Sequence, residues 1–128
     1  GLIINYNTAY IYELVLRIKA LLRRSKISAD KFIDIGGIII DYEALEVRMP
    51  TGTTLLPMKE FYLLYKLLSY PNKIFTRQEL MDDIWGFDSE ADERTVDVHI
   101  KRLREKFKDV SEFEIITIRG LGYKGVYK

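Results

Sequence analysis

The chain has 128 residues, of which 48% are hydrophobic and 30% are charged, as is typical of one soluble globular domain. It contains no cysteine, which excludes disulfides, thiol catalysis and thiolate metal sites and suits a reducing cytoplasm. The formal net charge is only +1, and we find neither an apolar run long enough to span a bilayer nor a secretory signal.

Charge is distributed unevenly along the chain. Residues 94–128 hold nine Lys or Arg against five Asp or Glu, whereas residues 76–93 hold one Arg against seven acidic residues. A basic C-terminal unit beside an acidic segment predicts two surfaces with different partners.

The N-terminal part of the chain predicts a helix, a linker and a sheet. Residues 9–24 carry apolar side chains at helical spacing, with Arg and Lys outside the apolar stripe. Residues 25–31 form a short polar linker. Four short strands follow, interrupted by glycine, proline and polar turn residues, which predicts a small antiparallel sheet. These strands are expected at residues 32–35, 38–41, 45–49 and 53–56.

Three helices are predicted after the sheet. The first covers residues 58–69 and is expected to bury Phe61, Leu64, Tyr65 and Leu68. The second covers residues 77–85 and begins with the capping box Thr76-Arg77-Gln78-Glu79, whose first and last side chains accept hydrogen bonds from backbone N–H groups. An acidic loop at residues 86–92 separates it from a basic helix at residues 93–108.

A two-stranded hairpin is predicted at the C-terminal end of the chain. Its strands are expected near residues 114–118 and 123–127, and the turn contains Gly120 and Gly122.

The basic helix has one apolar stripe and a polar outer surface. At 100° per residue, four apolar residues fall on one line and therefore face a core: Val96, Ile100, Leu103 and Phe107. The opposite side carries Arg94, Thr95, Val98 and Arg102, with Lys101 and Arg104 on one flank and His99 on the other. Such a surface suits a DNA major groove, where Arg pairs with guanine and a small apolar side chain contacts a thymine methyl. The alternative is the solvated face of an ordinary amphipathic helix.

The ordered blocks of residues 31–128 resemble the winged helix-turn-helix effector domain of OmpR/PhoB-type response regulators. The resemblance rests on Lys59-Glu60-Phe61, on residues 76–80, on Trp85-Gly86, on residues 92–104 and on residues 117–123. It implies an α+β fold over residues 32–128, with an N-terminal antiparallel sheet, three helices and a C-terminal β-hairpin wing. It also implies sequence-specific binding of double-stranded DNA that regulates transcription in a two-component system.

The resemblance assigns a role to each matching residue. Val98 and Arg102, with Thr95, are expected to read base edges in the major groove. Phosphate contacts are expected from the flanking residues Arg94, His99, Lys101 and Arg104. Further contacts with the DNA backbone are expected from Trp85, Thr117 and Tyr123. Arg119 of the wing resembles the family's minor-groove arginine.

The family resemblance also suggests protein partners. The loop at residues 86–92 corresponds to a loop that can touch RNA polymerase, although its acidic residues also fit a merely solvated surface. Residues 9–24 resemble only the last helix of the family's receiver domain. The N-terminal segment of residues 1–24 has too few residues to form a phosphorylation pocket, so we expect no phosphorylation in the family manner. The uncovered apolar stripe of that helix is expected to pack on the sheet or on a second copy.

Two other function classes can be compared with DNA binding. A protein-interaction module on a winged-helix frame would use the acidic loop and the N-terminal helix. An enzyme is not expected, because no nucleophile has a base beside it. A cofactor or metal site is not expected either, because His99 is the only histidine and no carboxylates are arranged around it.

Overall fold

The computed structural model describes residues 31–87 and 89–128, and residues Ile33–Lys128 form a compact unit. The helix predicted at residues 9–24 and nearly all of the predicted linker lie outside the described residues, as does Asp88 of the acidic loop. The proposed division of the chain at residues 24 and 31 therefore stays a prediction.

A four-stranded sheet comes first, in the order in which its strands follow along the chain. The strands are β1 (Phe32–Ile35), β2 (Ile38–Asp41), β3 (Glu46–Met49) and β4 (Gly52–Leu55). Strands β2, β3 and β4 pair antiparallel, as predicted. Their boundaries differ by one residue from the expected ones at β3 and β4, and β1 and β2 match.

Three helical segments follow the sheet, in agreement with the predicted order. They are α1 (Met58–Ser69), α2 (Arg77–Leu80) and α3 (Glu93–Lys106). The helix α3 ends two residues earlier than expected, where Phe107 leaves the helical conformation.

The helix predicted over residues 77–85 is α-helical only as far as Leu80. It continues as one π-helical turn, Met81–Trp85, because the N–H of Gly86 reaches back to the carbonyl of Met81 at 3.0 Å, one residue further than in an α-helix. The predicted capping box at its start is confirmed. Thr76 Oγ1 accepts from the N–H of Glu79 at 3.0 Å, and Glu79 Oε1 accepts from the N–H of Thr76 at 2.8 Å.

The C-terminal hairpin consists of β6 (Phe113–Ile118) and β7 (Gly122–Tyr127). A two-residue strand, β5 (Phe75–Thr76), pairs with β7 and completes a three-stranded sheet in the order β5-β7-β6. Strand β5 was not predicted, because two residues are too few to show a strand periodicity. We call the hairpin β6–β7 with its turn the wing.

The core confirms the predicted apolar line of the basic helix, since all four of its residues are buried. In α1, Phe61, Leu64 and Leu68 are buried as expected, whereas Tyr65 is only half-buried. Two further leucines of α1, Leu63 and Leu67, are buried because this helix contacts α3, β7 and the π-helical turn. Among the described residues, no helix has the length and apolar character that crossing a membrane requires.

Candidate nucleic-acid interface

The N-terminus of α3 is fixed by the side chain that precedes it. Asp92 caps the helix by accepting from the N–H of Arg94 at 3.0 Å, and its other oxygen accepts from the Arg94 guanidinium at 3.1 Å. This charged hydrogen bond to Arg94 holds the pKa of the Asp92 carboxyl below its usual value. Asp92 therefore stays ionised at neutral pH and keeps the first turn of α3 in place.

The outer face of α3 is open to solvent along its length. Val98 is 47% exposed, Arg94, Lys101 and Arg102 are exposed, and Thr95 is half-buried. The three residues predicted to read bases thus lie on the surface of the helix, opposite the buried stripe. Their positions agree with the angular argument made from the sequence, and their role in base reading stays a prediction.

A buried carboxylate of α1 contacts two cations of α3. Glu60 of α1 is 1% exposed, and its Oε1 accepts from Lys106 Nζ at 2.8 Å. Its Oε2 lies 3.7 Å from Nη1 of Arg102, whose side chain is 58% exposed. A buried carboxylate requires a counter-charge, and the two cations of α3 supply it from one side.

The sequence contains a signal for the burial of Glu60. This residue falls on the same side of α1 as the buried Leu63, Leu64 and Leu67, at spacings of three, four and seven residues. A charged residue in line with a buried stripe indicates a buried ion pair, although the pattern alone does not say which residue is the partner.

His99 and Trp85 contact one another on the flank of α3. Nδ1 of His99 lies 2.9 Å from the backbone oxygen of Thr95, one turn earlier, and donates to it because a carbonyl oxygen only accepts. The Trp85 ring meets the imidazole edge-on, with 5.0 Å between the ring centroids. Two predicted phosphate contacts, separated by fourteen positions in the sequence, are thereby brought together.

Arg104 links α3 to the wing. Its guanidinium donates to the backbone oxygen of Ile115 at 2.8 Å and to Thr117 Oγ1 at 2.7 Å, and it lies 5.7 Å from the centroid of the Tyr123 ring. Thr117 and Tyr123 are themselves opposite one another in the β6–β7 ladder. The structure therefore joins three predicted phosphate contacts, and Arg104 also has a positioning role that the sequence did not indicate.

Tyr123 makes a second link between the wing and α3. The side chain is only 7% exposed, and its hydroxyl donates to Asp97 Oδ1 at 2.5 Å. Asp97 also lies 3.5 Å from Arg77 Nε. The Asp97 and Arg77 contacts were missed in the sequence, because they join residues from three separate elements.

Arg119 lies apart from this network. It belongs to the turn between β6 and β7 and is exposed, and the positive φ of Gly120 (76°) forms the turn beside it. The turn of the wing thus presents an exposed cation. Among residues 31–87 and 89–128, no cluster of three or more potential metal ligands occurs.

The buried tyrosines allow us to predict how the stability of the domain changes at high pH. Burial, and then the hydrogen bond to Asp97, raise the pKa of Tyr123 to about 12, and burial also raises the pKa values of Tyr65 and Tyr127. In the unfolded chain a tyrosine ionises near pH 10. The stabilising contribution of neutral Tyr123 is therefore complete below pH 10 and is lost as the pH rises toward 12.

We expect the free energy of unfolding, measured by urea denaturation, to fall steadily between pH 10 and pH 12. Tyr123→Phe should be less stable than the original chain at pH 8 and should show a shallower fall above pH 10. An equally steep fall in the two proteins would contradict this account.

Comparison with known proteins identifies the family. Residues 52–125 match the family model described as "Transcriptional regulatory protein, C terminal". The chain is similar to the heme response regulator HssR of Staphylococcus epidermidis, with 48% identity over 115 residues that cover 89% of this chain and 51% of that protein. The chain thus spans about half the length of the curated relatives it matches.

Solved structures indicate the same family. The Klebsiella pneumoniae RstA DNA-binding domain, in complex with the RstA box, is 30% identical with a TM-score of 0.64, over 75% of this chain and 97% of that domain. The Thermotoga maritima response regulator DrrB, an OmpR/PhoB homologue, is 31% identical with a TM-score of 0.66, over 90% of this chain and 52% of that protein. This chain belongs to the family of transcriptional regulatory C-terminal domains, the OmpR/PhoB-type winged-helix domains of response regulators, which are regulators of transcription and not enzymes.

Proposed function

We propose that this chain binds double-stranded DNA in a sequence-specific manner and thereby regulates transcription, with α3 in the major groove and the wing in the minor groove. One observation carries the proposal. The helix α3 buries one apolar stripe completely and leaves a basic outer face, next to a wing that presents an exposed arginine. A major groove admits a helix of this kind. A location in the cytoplasm is proposed with it, since DNA is the ligand.

Base reading is assigned to three residues on the side of α3 opposite the buried stripe: Thr95, Val98 and Arg102. Arg102 carries a guanidinium that fits a guanine edge, and Val98 offers a small apolar surface for a thymine methyl. Thr95 lies one turn before His99 on the same helix and can hydrogen-bond to a base. In support, these three side chains lie on the side of α3 that faces away from the core.

Backbone contacts are assigned to the residues that surround this face. They comprise the cations and the imidazole of α3 (Arg94, His99, Lys101 and Arg104), the neighbouring indole (Trp85) and the wing residues (Thr117 and Tyr123). Such contacts fix the register of the protein on DNA without reading sequence. Arg119 is assigned to the minor groove, where a narrow A·T-rich segment attracts arginine.

Because Arg104, Thr117 and Tyr123 already bond within the protein, their part in phosphate binding requires donors that remain available. The Arg104 guanidinium has five N–H donors and uses only part of them on Ile115 and Thr117. We infer that these three residues contact DNA as one unit, in which Arg104 carries the charge and Thr117 keeps its own O–H as a donor. Tyr123 donates its single O–H to Asp97 and would have to exchange that bond for one to phosphate.

Selection from a pool of random duplex DNA at moderate salt tests the proposal. We expect the retained duplexes to share a sequence that occurs as two half-sites about one helical turn apart, since the resemblance to the OmpR/PhoB family implies two copies on adjacent half-sites. Retention without any sequence preference would mean that the chain binds DNA through phosphate contacts alone. Retention of no DNA would favour a protein-interaction module on the same frame.

A contact between RNA polymerase and the loop at residues 86–92 is proposed on the resemblance. In support, Phe87 is 85% exposed beside the acidic residues of this loop, and an exposed aromatic side chain is an effective contact residue. The double variant Phe87→Ala, Glu90→Gln should reduce transcription in vitro from a promoter with the selected site, at unchanged DNA affinity. Unchanged transcription would leave the loop as a solvated surface.

A homodimer through the helix predicted at residues 9–24 is also proposed, because its apolar stripe needs a cover. Light scattering over a dilution series should give a mass that falls from two chains toward one. Leu14→Lys, in the stripe, should give one chain throughout, whereas Arg17→Lys, outside it, should behave like the original chain. A single chain at every concentration of the original protein would exclude the dimer.

A further inference from the structure

The buried Glu60 has no place in the DNA contacts assigned above, yet it is the one charged residue in the described core. It lies in α1, not in the proposed reading helix α3, and both of its charged partners come from α3. A carboxylate that only had to be neutralised would need one of them. The presence of two cations indicates that one of them has a role besides neutralising Glu60.

The two oxygens of Glu60 are divided between the two cations. Oε1 is held by Lys106 Nζ at 2.8 Å, a hydrogen-bonding distance, while Oε2 lies 3.7 Å from Nη1 of Arg102. Lys106 and Arg102 are four residues apart and therefore lie on the same face of α3. Lys106 thus fixes the carboxylate, and the fixed carboxylate attracts the end of the longer, more exposed Arg102 side chain.

We propose that Glu60 is a positioning residue for sequence reading, which orients the Arg102 guanidinium before DNA arrives. This inference rests on the proposed DNA binding. With Nη1 toward Glu60, the guanidinium keeps its Nε and Nη2 donors for a bidentate contact with a guanine edge. An arginine side chain that is free to rotate loses more conformational entropy on binding than one held in place, so pre-orientation favours the specific contact.

The first test needs no DNA. In the original chain, NMR measurement of rotation about the Nε–Cζ bond should show slower rotation for Arg102 than for the exposed Arg119 of the wing turn. Glu60→Gln should bring the Arg102 rate close to that of Arg119. Equal rates for the two arginines in the original chain would overturn the proposal, whatever the outcome of DNA binding.

The second test is a double-mutant cycle on DNA specificity. Affinities are measured by fluorescence anisotropy for the selected duplex and for a duplex altered at one base pair. That base pair is the one which the Arg102→Ala variant no longer distinguishes. Discrimination is the ratio of the two affinities. Glu60→Gln should lower this ratio about threefold to tenfold, the scale of a partly lost bidentate contact. Glu60→Gln should also lower the affinity for the selected duplex itself, whereas in the Arg102→Ala background the same substitution should leave that affinity unchanged.

A matched control separates positioning from charge. Glu114→Gln removes the same charge from an exposed strand carboxylate whose partner is Lys128, and it should leave discrimination unchanged. Thermal unfolding of each variant shows that the folded chain is being compared. An equal fall in the affinity for the selected duplex with and without Arg102 would assign Glu60 a purely structural role. If the original chain bound no DNA, the proposed function would fail, and the rotation measurement would still decide whether Glu60 holds Arg102.

Discussion

Gly122→Ala is expected to unfold or strongly destabilise the domain, although the substitution adds only one methyl group. A Cβ at this position would lie 1.9 Å from the backbone oxygen of Phe75 and 2.9 Å from Cα of Thr76. Both obstacles are backbone atoms of β5, so no side chain can rotate away, and β5 must separate from β7. We expect the free energy of unfolding, measured by urea denaturation, to fall by about 3 kcal/mol, the upper part of the range for overpacking.

Gly120→Ala is the matched control for this prediction. Gly120 lies two residues earlier, in the turn that precedes β7, and a Cβ there would meet no atom within 4 Å, but its φ of +76° is unfavourable for alanine. The expected loss is only about 1–2 kcal/mol, the cost of a left-handed conformation. A Gly122→Ala variant as stable as Gly120→Ala would show that β5 does not pair with β7 as described.

Arg102→Ala is expected to have the largest effect on DNA specificity. Loss of a bidentate contact should cost about 1–3 kcal/mol at one base pair, which is roughly a factor of 5 to 150 in discrimination. The fold should tolerate the change, because Glu60 keeps its 2.8 Å contact with Lys106. Anisotropy titrations with the selected duplex and its single-base variants measure this effect.

Lys101→Ala provides the comparison on the same helix. If Lys101 contacts phosphate only, its loss should weaken binding to every duplex by a similar factor and lower the slope of log K against log salt by about one. If Arg102→Ala gave this uniform pattern instead, then Arg102 would be a phosphate contact and base reading would have to be assigned elsewhere on α3.

Local sequence patterns were sufficient for most of the fold. The burial of Val96, Ile100 and Leu103 follows from their spacing alone, because a helix repeats every 3.6 residues whatever it packs against. The capping box at Thr76 is equally local, since both of its hydrogen bonds join residues three positions apart. The glycine-turned wing follows from the conformational freedom of Gly120.

The features that the sequence did not predict depend on contacts between distant segments. The π-helical turn depends on the hydrogen bond from the N–H of Gly86 to the carbonyl of Met81. Strand β5 forms only because β7 lies beside it. The bond between Tyr123 and Asp97 spans 26 residues, and the one between Lys106 and Glu60 spans 46. No periodicity encodes such pairs. The sequence therefore predicted the individual residues of the candidate interface, but it did not show which of these residues contact one another.

Whether α3 reads DNA sequence is tested most directly by a salt series. The original chain is titrated against the selected duplex and against a shuffled duplex of the same composition, at increasing salt concentration. We predict tighter binding to the selected duplex at every salt concentration, with log K falling linearly with log salt for both duplexes as counterions are released. Equal affinity for the two duplexes, or an affinity that does not change with salt, would contradict the account.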